Sequence, residues 1–573
     1  MDPHQLSAVL GLGRFRSQRN AQVNVTAAQF RTFSGNKGAA AQNPRSYPPA
    51  CASACEAFTA VETTMIKSGE PERQVHLQRA ELFVAFITSA GVVVWRLLEL
   101  ASRGTPSGVD VANYYRVVEG WLGNVDLDGM VYPPVVPAIA GLARWLVGPL
   151  WAAHLMQAVA GVAPGLGVWR MCRTFVTPWV AGLAGLAVAV AFPTSATVAW
   201  GGVPQLLALG LWPIVTLSAT KFALQASRAQ ALKFGALLTL TLLTSTLVGV
   251  AAVLSAGLGV FLMTIHAGTA IWAKKVGWAL LPAIITLPWY PRILTSMSLP
   301  SGRVSEASFG EVAHRVLGSP WGLWALIALL AVAGWVAVLS RREHARAVVT
   351  AMNITAVLGL FANETRVGYL LPTALAVSSC GLATGGRRVR QLGMLVATSS
   401  VLTLLLVATP DFSRQVDVYG AFTPPGVLEA SSWLRENAGP SDVVVVAPVD
   451  GVPTGWWVEA SGVDAVVASR EDWLFFRSER IEARLANRML SAEAWPDADS
   501  IAVLKRCDVR WILLPGGWEG ANESALAAAI ARGDLAVAFR SGDTLVFGVV
   551  PAGGSGSHPG ELAACDAKQL EVG

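Results

Sequence analysis

Charged residues are scarce in this chain. Asp, Glu, Lys and Arg make up 14% of its 573 residues, hydrophobic residues make up 53%, and the mean hydropathy is +0.49. A soluble domain carries about 25% charged residues, so this composition excludes an ordinary soluble protein. Runs of roughly 20 apolar residues, the length that a helix needs to cross a bilayer, recur from about Leu82 to about Ala408. The chain is therefore predicted to be a polytopic α-helical membrane protein.

Cysteine is also rare, with six residues at positions 51, 55, 172, 380, 507 and 565. Cys51 and Cys55 lack a second pair of ligands, which argues against a zinc site. Cys507 and Cys565 both fall in the C-terminal region, where a disulfide between them is left open. The sequence has neither spaced phosphate-loop glycines nor basic stripes interleaved with aromatics, so nucleic acid is not an expected partner.

The two ends of the chain lack hydrophobic periodicity. Residues 1–80 are polar and rich in Ser, Ala and Gln, without the apolar core and cleavage site of a secretory signal. We interpret them as a disordered cytoplasmic tail; the alternative is that translation naturally starts at Met65. Residues 553–573 are interpreted as a flexible tail.

Basic residues between the apolar runs predict how the chain crosses the membrane. With the N-terminus in the cytoplasm, the positive-inside rule is satisfied by about eleven spans in residues 81–409. The stretch from Tyr132 to about Val147 is treated as a helix on the outer surface, because a crossing there would reverse every later basic cluster. These clusters are Arg170/Arg173, Lys274/Lys275, Arg341/Arg342 and Arg387/Arg388/Arg390. The predicted location is the plasma membrane, with the C-terminal region outside.

Residues 410–552 predict a small extracytoplasmic α/β domain. "SDVVVVAP" is typical of a buried strand, "REDWLFFRSERIEARLANRML" of an amphipathic helix, and "LAVAFRSGDTLVFGVV" of a hairpin that turns at Ser541-Gly542-Asp543. This alternation favours an α/β fold. No nucleophile–base pattern is evident, so the domain is predicted to dock an acceptor or to cap the membrane part.

The densest group of acids lies in the predicted outer loop 101–149. Asp110 precedes an amphipathic helix pattern, "VANYYRVVEGWL", and is interpreted as an N-cap, as a catalytic base, or as both. Glu119 is expected to face solvent or a neighbouring helix. Asp126 and Asp128 form a D-x-D that is typical of a solvated turn, with a divalent metal site as the alternative.

Two further segments are predicted to reach the same outer face. "WGGVPQ", from Trp200 to Gln205, is a flexible turn between helices or a substrate contact. In "NETRVGYLLP", Glu364 and Arg366 are placed to pair with each other. The planar guanidinium of Arg366 also suits the oxygens of a phosphate.

Together these features resemble the GT-C superfamily of membrane glycosyltransferases, which use polyprenyl-phosphate sugars. The likeness is closest to protein O-mannosyltransferases, lipid A aminoarabinose transferases and actinobacterial arabinosyl- or mannosyltransferases. It is carried by the outer loop with Asp110, the helix "YYRVVEGWL", the "YPP" before a surface helix, and "R-x-G-Y-L-L-P" opening a late span. It covers about Leu82 to Val550, and the second acidic motif of oligosaccharyltransferase-like members is not evident.

The resemblance implies an inverting transfer with Asp110 as general base and Arg366 offsetting charge on the leaving phosphate. It implies a polyprenyl-phosphate-linked sugar donor, an envelope glycan, lipid or protein acceptor, and no cofactor. The alternatives are a secondary transporter and a non-catalytic membrane scaffold. The Ala-, Gly-, Val- and Trp-rich composition is suggestive of an actinobacterial source. The substrate-binding candidates are Tyr114, Tyr115, Arg116, Tyr132, Trp200, Gln205, Glu364, Arg366 and Tyr369.

Overall fold

The computed structural model describes most of the chain between residues 71 and 550. The described ranges are 71–125, 132–267, 270–296, 321–339, 343–361, 369–385, 409–440, 442–470, 474, 477–490, 495–516 and 518–550, with isolated positions 391, 395, 398 and 406. The chain divides into a first unit, Met1–His76, and a second, Leu77–Gly573. In the first unit only the beginning of helix α1 is described.

The membrane part is built from helices. In chain order they are α1 (Pro71–Ala101), α2 (Asp110–Trp121), α3 (Val135–Val147), α4 (Pro149–Ala160), α5 (Ala163–Cys172), α6 (Pro178–Val190), α7 (Phe192–Trp200), α8 (Val203–Gln225), α9 (Arg228–Thr244), α10 (Thr246–Ala267), α11 (Val276–Leu280), α12 (Tyr290–Ser296), α13 (Trp321–Leu339), α14 (Glu343–Phe361) and α15 (Leu370–Cys380). Short 3₁₀ turns cover Ile271–Lys275, Leu281–Thr286 and Gly381–Thr384. Proline in the first turn of α4, α6, α7 and α8 suits the start of each helix, where its missing N–H has no partner to lose.

Several of these helices are long and apolar enough to cross a bilayer, as the composition predicts. Within the described residues, Glu81–Ala101, Val203–Gln225 and Thr246–His266 meet this test singly. The pair α6 and α7 meets it jointly, with a bend of 46° between the two helices. The count of about eleven spans stays a prediction. The last predicted span, Leu392–Ala408, lies almost wholly outside the described residues.

From the sequence, the stretch "PTSATVAWGGVPQ" is expected to be an outer loop after a predicted span. This prediction is wrong over most of the stretch. Residues Phe192–Trp200 form helix α7, which is buried, and only Gly201 and Gly202 make a turn. The hydroxyl groups of Thr194 and Thr197 donate to the carbonyl oxygens of Val188 and Pro193, each at 2.7 Å. Their bonds to backbone carbonyls allow these polar residues to be helical inside the protein.

Arg96 of α1 lies at the break between α6 and α7. Its guanidinium donates to the carbonyl oxygen of Ala189 and, at 3.3 Å, to the Ser195 hydroxyl, and its side chain is fully buried. Carbonyl groups freed by a break in a membrane helix need such donors. Arg96 therefore stabilises the bend that leads to Gly201.

Two other predicted spans are also interrupted. The segment Leu150–Trp169 is divided at Gly161 and Val162 into α4 and α5. The segment Gly277–Tyr290 is a series of short helical turns. In both cases a continuous apolar run conceals a break in the helix.

Helix α3 has the length and exposure of a surface helix. It has 13 residues, and Trp145 is 80% exposed with Leu142 and Leu146 also exposed. Its other face packs against α2 and α4. Such an apolar outward face is typical of a helix at a membrane interface.

The C-terminal region contains a mixed sheet with helices around it. Residues 409–420 are helical, followed by α16 (Val427–Asn437), β1 (Val443–Val446), α17 (Trp456–Glu459), β2 (Ala465–Val467), α18 (Arg477–Leu490), α19 (Ala498–Arg506), β3 (Val509–Leu514), α20 (Glu523–Ala531), β4 (Leu535–Ser541) and β5 (Thr544–Val549). The strand order is β2-β1-β3-β5-β4. Strand β1 is parallel to β2 and β3, while β5 is antiparallel to β3 and β4. The hairpin predicted at Ser541-Gly542-Asp543 is present as β4 and β5.

One hydrophobic core joins the first loop region to the C-terminal region. Buried side chains of α2, α4 and α7 belong to the same cluster as Val444, Trp456 and Trp457. Cys507 is disulfide-bonded, and its predicted partner Cys565 lies outside the described residues. Helix α17 of the C-terminal region packs against α2, the helix that carries Asp110.

Candidate active site

Three hydrogen bonds hold the loop that leads into α2. The Ser107 hydroxyl donates to the Ala199 carbonyl of α7, and Gln157 of α4 donates to the Ser107 carbonyl at 2.7 Å. The backbone N–H of Gly108 donates to the Tyr419 carbonyl at 3.1 Å. Because these partners come from three distant parts of the chain, the loop has a fixed position.

Asp110 is the first residue of α2 and is half-buried. The N-cap position belongs to Val109, and no side chain caps the helix, so the prediction of Asp110 as N-cap is wrong. In the first turn its carboxylate lies at the positive end of the helix dipole, which favours an anion. Gly201, at φ +93°, packs beside it, and a Cβ built there would lie 3.2 Å from the Asp110 Cβ.

Tyr419 is the residue near Asp110 that the sequence did not reveal. Burial and then the nearby charge of Asp110 raise the pKa of the Tyr419 phenol. Its backbone carbonyl also holds Gly108. No local pattern singles out this tyrosine, because it comes from the helical segment 409–420, far along the chain.

The other aromatic and polar candidates near Asp110 surround the turn at Gly201. Tyr114 lies one turn after Asp110 on the same face of α2, and its hydroxyl donates to the Gly201 carbonyl at 2.8 Å. The rings of Tyr114 and Tyr132 are 5.9 Å apart. Trp200 and Gln205 flank the turn on either side and are buried. The Gln205 Oε1 has no hydrogen-bond partner among the described residues.

Tyr115 and Arg116 point to a different neighbour, the C-terminal region. The Tyr115 hydroxyl donates to the Pro149 carbonyl at 2.8 Å, and its ring lies 6.2 Å from that of Trp457. The Arg116 guanidinium donates to Glu459 at 2.9 Å and to Glu479, and stacks over the Trp456 ring at 4.6 Å. The structure therefore separates these two candidates from the Asp110 group.

Arg116 lies among several carboxylates at this contact. Burial lowers the pKa of Arg116, but the charges of Glu479 and Glu459 outweigh burial and raise it. Burial raises the pKa of Glu459 to about 7, although Arg116 opposes the shift. Burial and the charge of Glu459 raise the pKa of Glu482 to about 8. One buried cation thus joins α2 to α17 and α18.

Glu119 faces a neighbouring helix, one of its two predicted placements. Its carboxylate pairs with Arg144 of α3 at 2.8 Å and accepts a hydrogen bond from Asn124 at 2.6 Å. Arg144 also donates to the Ala460 carbonyl at 2.7 Å. Glu119 therefore connects α2, α3 and the C-terminal region.

The remaining candidates contribute less to this group. Tyr369 is half-buried against the helix bundle at the start of α15. Asp126, Asp128, Glu364 and Arg366 lie outside the described residues. Within the part of the chain that the structure describes, no group of three or more His, Cys, Asp or Glu residues is arranged to hold a metal ion.

Comparison with known proteins gives structural matches. No protein-family model matches the chain, and no curated protein matches it in sequence. It is similar to the crystal structure of ArnT from Cupriavidus metallidurans in the apo state, with a TM-score of 0.54 and 16% identity over 83% of this chain and 100% of ArnT. It is also similar to the arabinofuranosyltransferase AftD from Mycobacteria, with a TM-score of 0.53 and 16% identity over 83% of this chain and 40% of AftD. At these identities the likeness establishes the fold.

Proposed function

We propose that this chain, which has the fold of the GT-C superfamily of membrane glycosyltransferases, is an inverting glycosyltransferase. It moves a sugar from a polyprenyl-phosphate donor to a cell-envelope glycan, lipid or protein on the outer face of the membrane. The observation that carries the proposal is the setting of Asp110. Its half-buried carboxylate is held at a helix start, between the Gly201 turn and Tyr419.

The chemistry follows from that setting. Asp110 accepts the proton of the acceptor hydroxyl as the hydroxyl oxygen attacks the anomeric carbon. The bond to the lipid phosphate breaks on the opposite face of the sugar, so the anomeric configuration inverts. The donor carries its own activation, and the polyprenyl phosphate leaves as an anion.

The proposed substrate contacts are those that the structure gathers near Asp110. They are Tyr114, Tyr132, Trp200 and Gln205. Gln205 is the strongest of these, because a buried amide oxygen without a partner is costly unless a ligand satisfies it.

The roles predicted for the segment "NETRVGYLLP" are kept in the proposal. Arg366 is proposed to offset charge on the leaving phosphate, and Glu364 and Tyr369 stay proposed substrate contacts. Tyr115 and Arg116 are reassigned as positioning residues for α2, because Tyr115 bonds to α4 and packs near Trp457 and Arg116 pairs with Glu459 and Glu479.

Asp110→Asn tests the proposal directly. The purified protein in lipid nanodiscs is given polyprenyl-phosphate arabinose, mannose or aminoarabinose, together with envelope glycan or lipid acceptors. Loss of a general base is expected to lower the transfer rate by at least ~10²-fold, with an unchanged melting temperature. Glu436→Gln, an equivalent change at an exposed position of α16, is the matched control.

Two results would contradict this function. Full transfer by Asp110→Asn would remove Asp110 as the base. Absence of transfer by the wild-type protein, with lipid-linked sugars unchanged in cells that lack it, would favour the scaffold alternative.

A further inference from the structure

A cavity of about 500 Å³ lies between α1, α5 and α6. This volume falls within the ~300–1,000 Å³ typical of small-molecule sites. Its lining is mainly apolar, including Val84, Ala85, Leu166, Leu183, Leu186 and Ala189. The cavity is therefore suited to a hydrocarbon chain.

The cavity extends along the middle of α1, from Glu81 to Val92. From Glu81 to Val92 the helix rises about 16 Å, which is roughly half of the ~30 Å hydrocarbon core of a bilayer. Val92, Val162 and Val190 form a buried cluster at the end nearer to Asp110. The cavity is long enough for an acyl chain that spans one leaflet, and Val92 and Val162 of the valine cluster line it.

The opposite end of the cavity carries charge and aromatic rings. Glu81 lines it and pairs with Arg173 at 2.7 Å, and the Arg173 guanidinium lies over the Trp169 ring at 4.9 Å. Arg170 is exposed one turn before Arg173, and Trp179 is 62% exposed. Tryptophan and arginine together are typical of the level of lipid headgroups. Two arginines against one glutamate leave a net positive charge there.

We propose that this cavity binds one acyl chain of an anionic phospholipid from the leaflet opposite Asp110, with the lipid phosphate paired to Arg173 and Arg170. The sequence places these arginines on the cytoplasmic side, where anionic headgroups attract basic residues. The polyprenyl tail of the donor is the less suitable occupant, since its phosphate belongs at the other surface, beside Asp110. The choice between these two occupants rests on the proposed function, whereas the cavity and its charged end do not.

Bound lipid has a structural consequence for the protein. The chain would lie between α1 and the pair α5 and α6, which cross so closely that a Cβ on Gly165 would stand 2.4 Å from the Gly185 carbonyl oxygen. The same helices place Arg96 at the bend before α7. Lipid binding would therefore stabilise the base on which the Gly201 turn rests.

Gly182→Leu is the most direct test. Gly182 lines the cavity, and a Cβ added there meets nothing within 4 Å, so leucine fills the space without a backbone clash. Gly91→Leu on α1 is the matched control, because an added Cβ there also meets nothing within 4 Å and Gly91 is not part of the lining. Arg173→Gln tests the headgroup contact separately.

Binding is measured on the purified protein by native mass spectrometry and by the thermal shift on adding phosphatidylglycerol. We expect wild type and Gly91→Leu to bind phosphatidylglycerol alike, and Gly182→Leu and Arg173→Gln to bind it at least ~10-fold more weakly. Equal binding by Gly182→Leu and wild type would overturn the cavity as the site. Equal affinity for phosphatidylcholine and phosphatidylglycerol would refute the preference for an anionic headgroup. Displacement of bound phosphatidylglycerol by polyprenyl phosphate in wild type, but not in Gly182→Leu, would assign the cavity to the donor tail instead.

Discussion

Replacing Glu482 by glutamine is expected to stabilise the protein at neutral and alkaline pH. Glu482 lies on α18 among Glu459, Glu479 and Asp464, with Arg116 as the nearby cation. Burial and the charge of Glu459 raise its pKa from 4.5 to about 8. The native protein therefore holds a proton that the unfolded chain releases. The contribution of this proton to the free energy of unfolding is full below pH 4.5. It is lost as the pH rises towards 8, and above that pH it no longer changes.

The size of the effect follows from the same values. A rise from 4.5 to about 8 is 3.5 pKa units, which corresponds to at most roughly 5 kcal/mol at ~1.4 kcal/mol per unit. Glu482 is partly exposed, so solvent screening reduces this. We expect Glu482→Gln to raise the free energy of unfolding by ~1–3 kcal/mol at pH 8.5 and to leave it unchanged near pH 4.5.

Thermal unfolding of the purified protein between pH 4.5 and pH 9 measures this difference. Glu479→Gln is the matched control on the same helix. It removes an acceptor of the buried Arg116, so it should lower the melting temperature. A pH-independent difference between Glu482→Gln and wild type, or a less stable variant at pH 8.5, would refute the reasoning.

Two further pairs of variants test how Asp110 is positioned. Gly108→Ala puts a Cβ 2.3 Å from the Trp200 carbonyl oxygen and should abolish transfer with a clearly lower melting temperature. Gly104→Ala, also at positive φ but with open space around it, should lose only ~1–2 kcal/mol of stability; equal losses would refute the packing argument. Tyr114→Phe removes the hydrogen bond beside the base and should slow transfer about tenfold. Tyr115→Phe removes a hydrogen bond to the start of α4 and should change only stability; similar transfer rates for the two would contradict this assignment.

The sequence predicted those parts of the fold in which local pattern and final environment agree. Helix α1, the amphipathic α2 and the exposed α3 follow directly from their apolar spacing and flanking residues. The β4–β5 hairpin follows from its turn at Gly542. In each case the residues that determine the helix or turn are close together in the sequence.

Other features depend on contacts between distant residues and could not be predicted. The Ser- and Thr-rich segment of α7 resembles a loop until its hydroxyls are seen bonded to backbone carbonyls inside the protein. From the sequence, Arg116 was expected to contact substrate. Its carboxylate partners Glu459 and Glu479 lie hundreds of residues later, so the local sequence does not reveal them. Tyr419 was missed for the same reason.

The bond from Gly108 to Tyr419 has a consequence for how the protein is made. Gly108 is synthesised early, soon after α1, whereas Tyr419 and the partners of Arg116 emerge only after the later helices. Since domains fold as their residues become available during synthesis, the loop carrying Asp110 is made long before the residues that fix it. A ribosome-released fragment ending before Tyr419 would retain the early helices but lack a positioned Asp110. The positioning of Asp110 is thus completed only after Tyr419 and the partners of Arg116 have been synthesised.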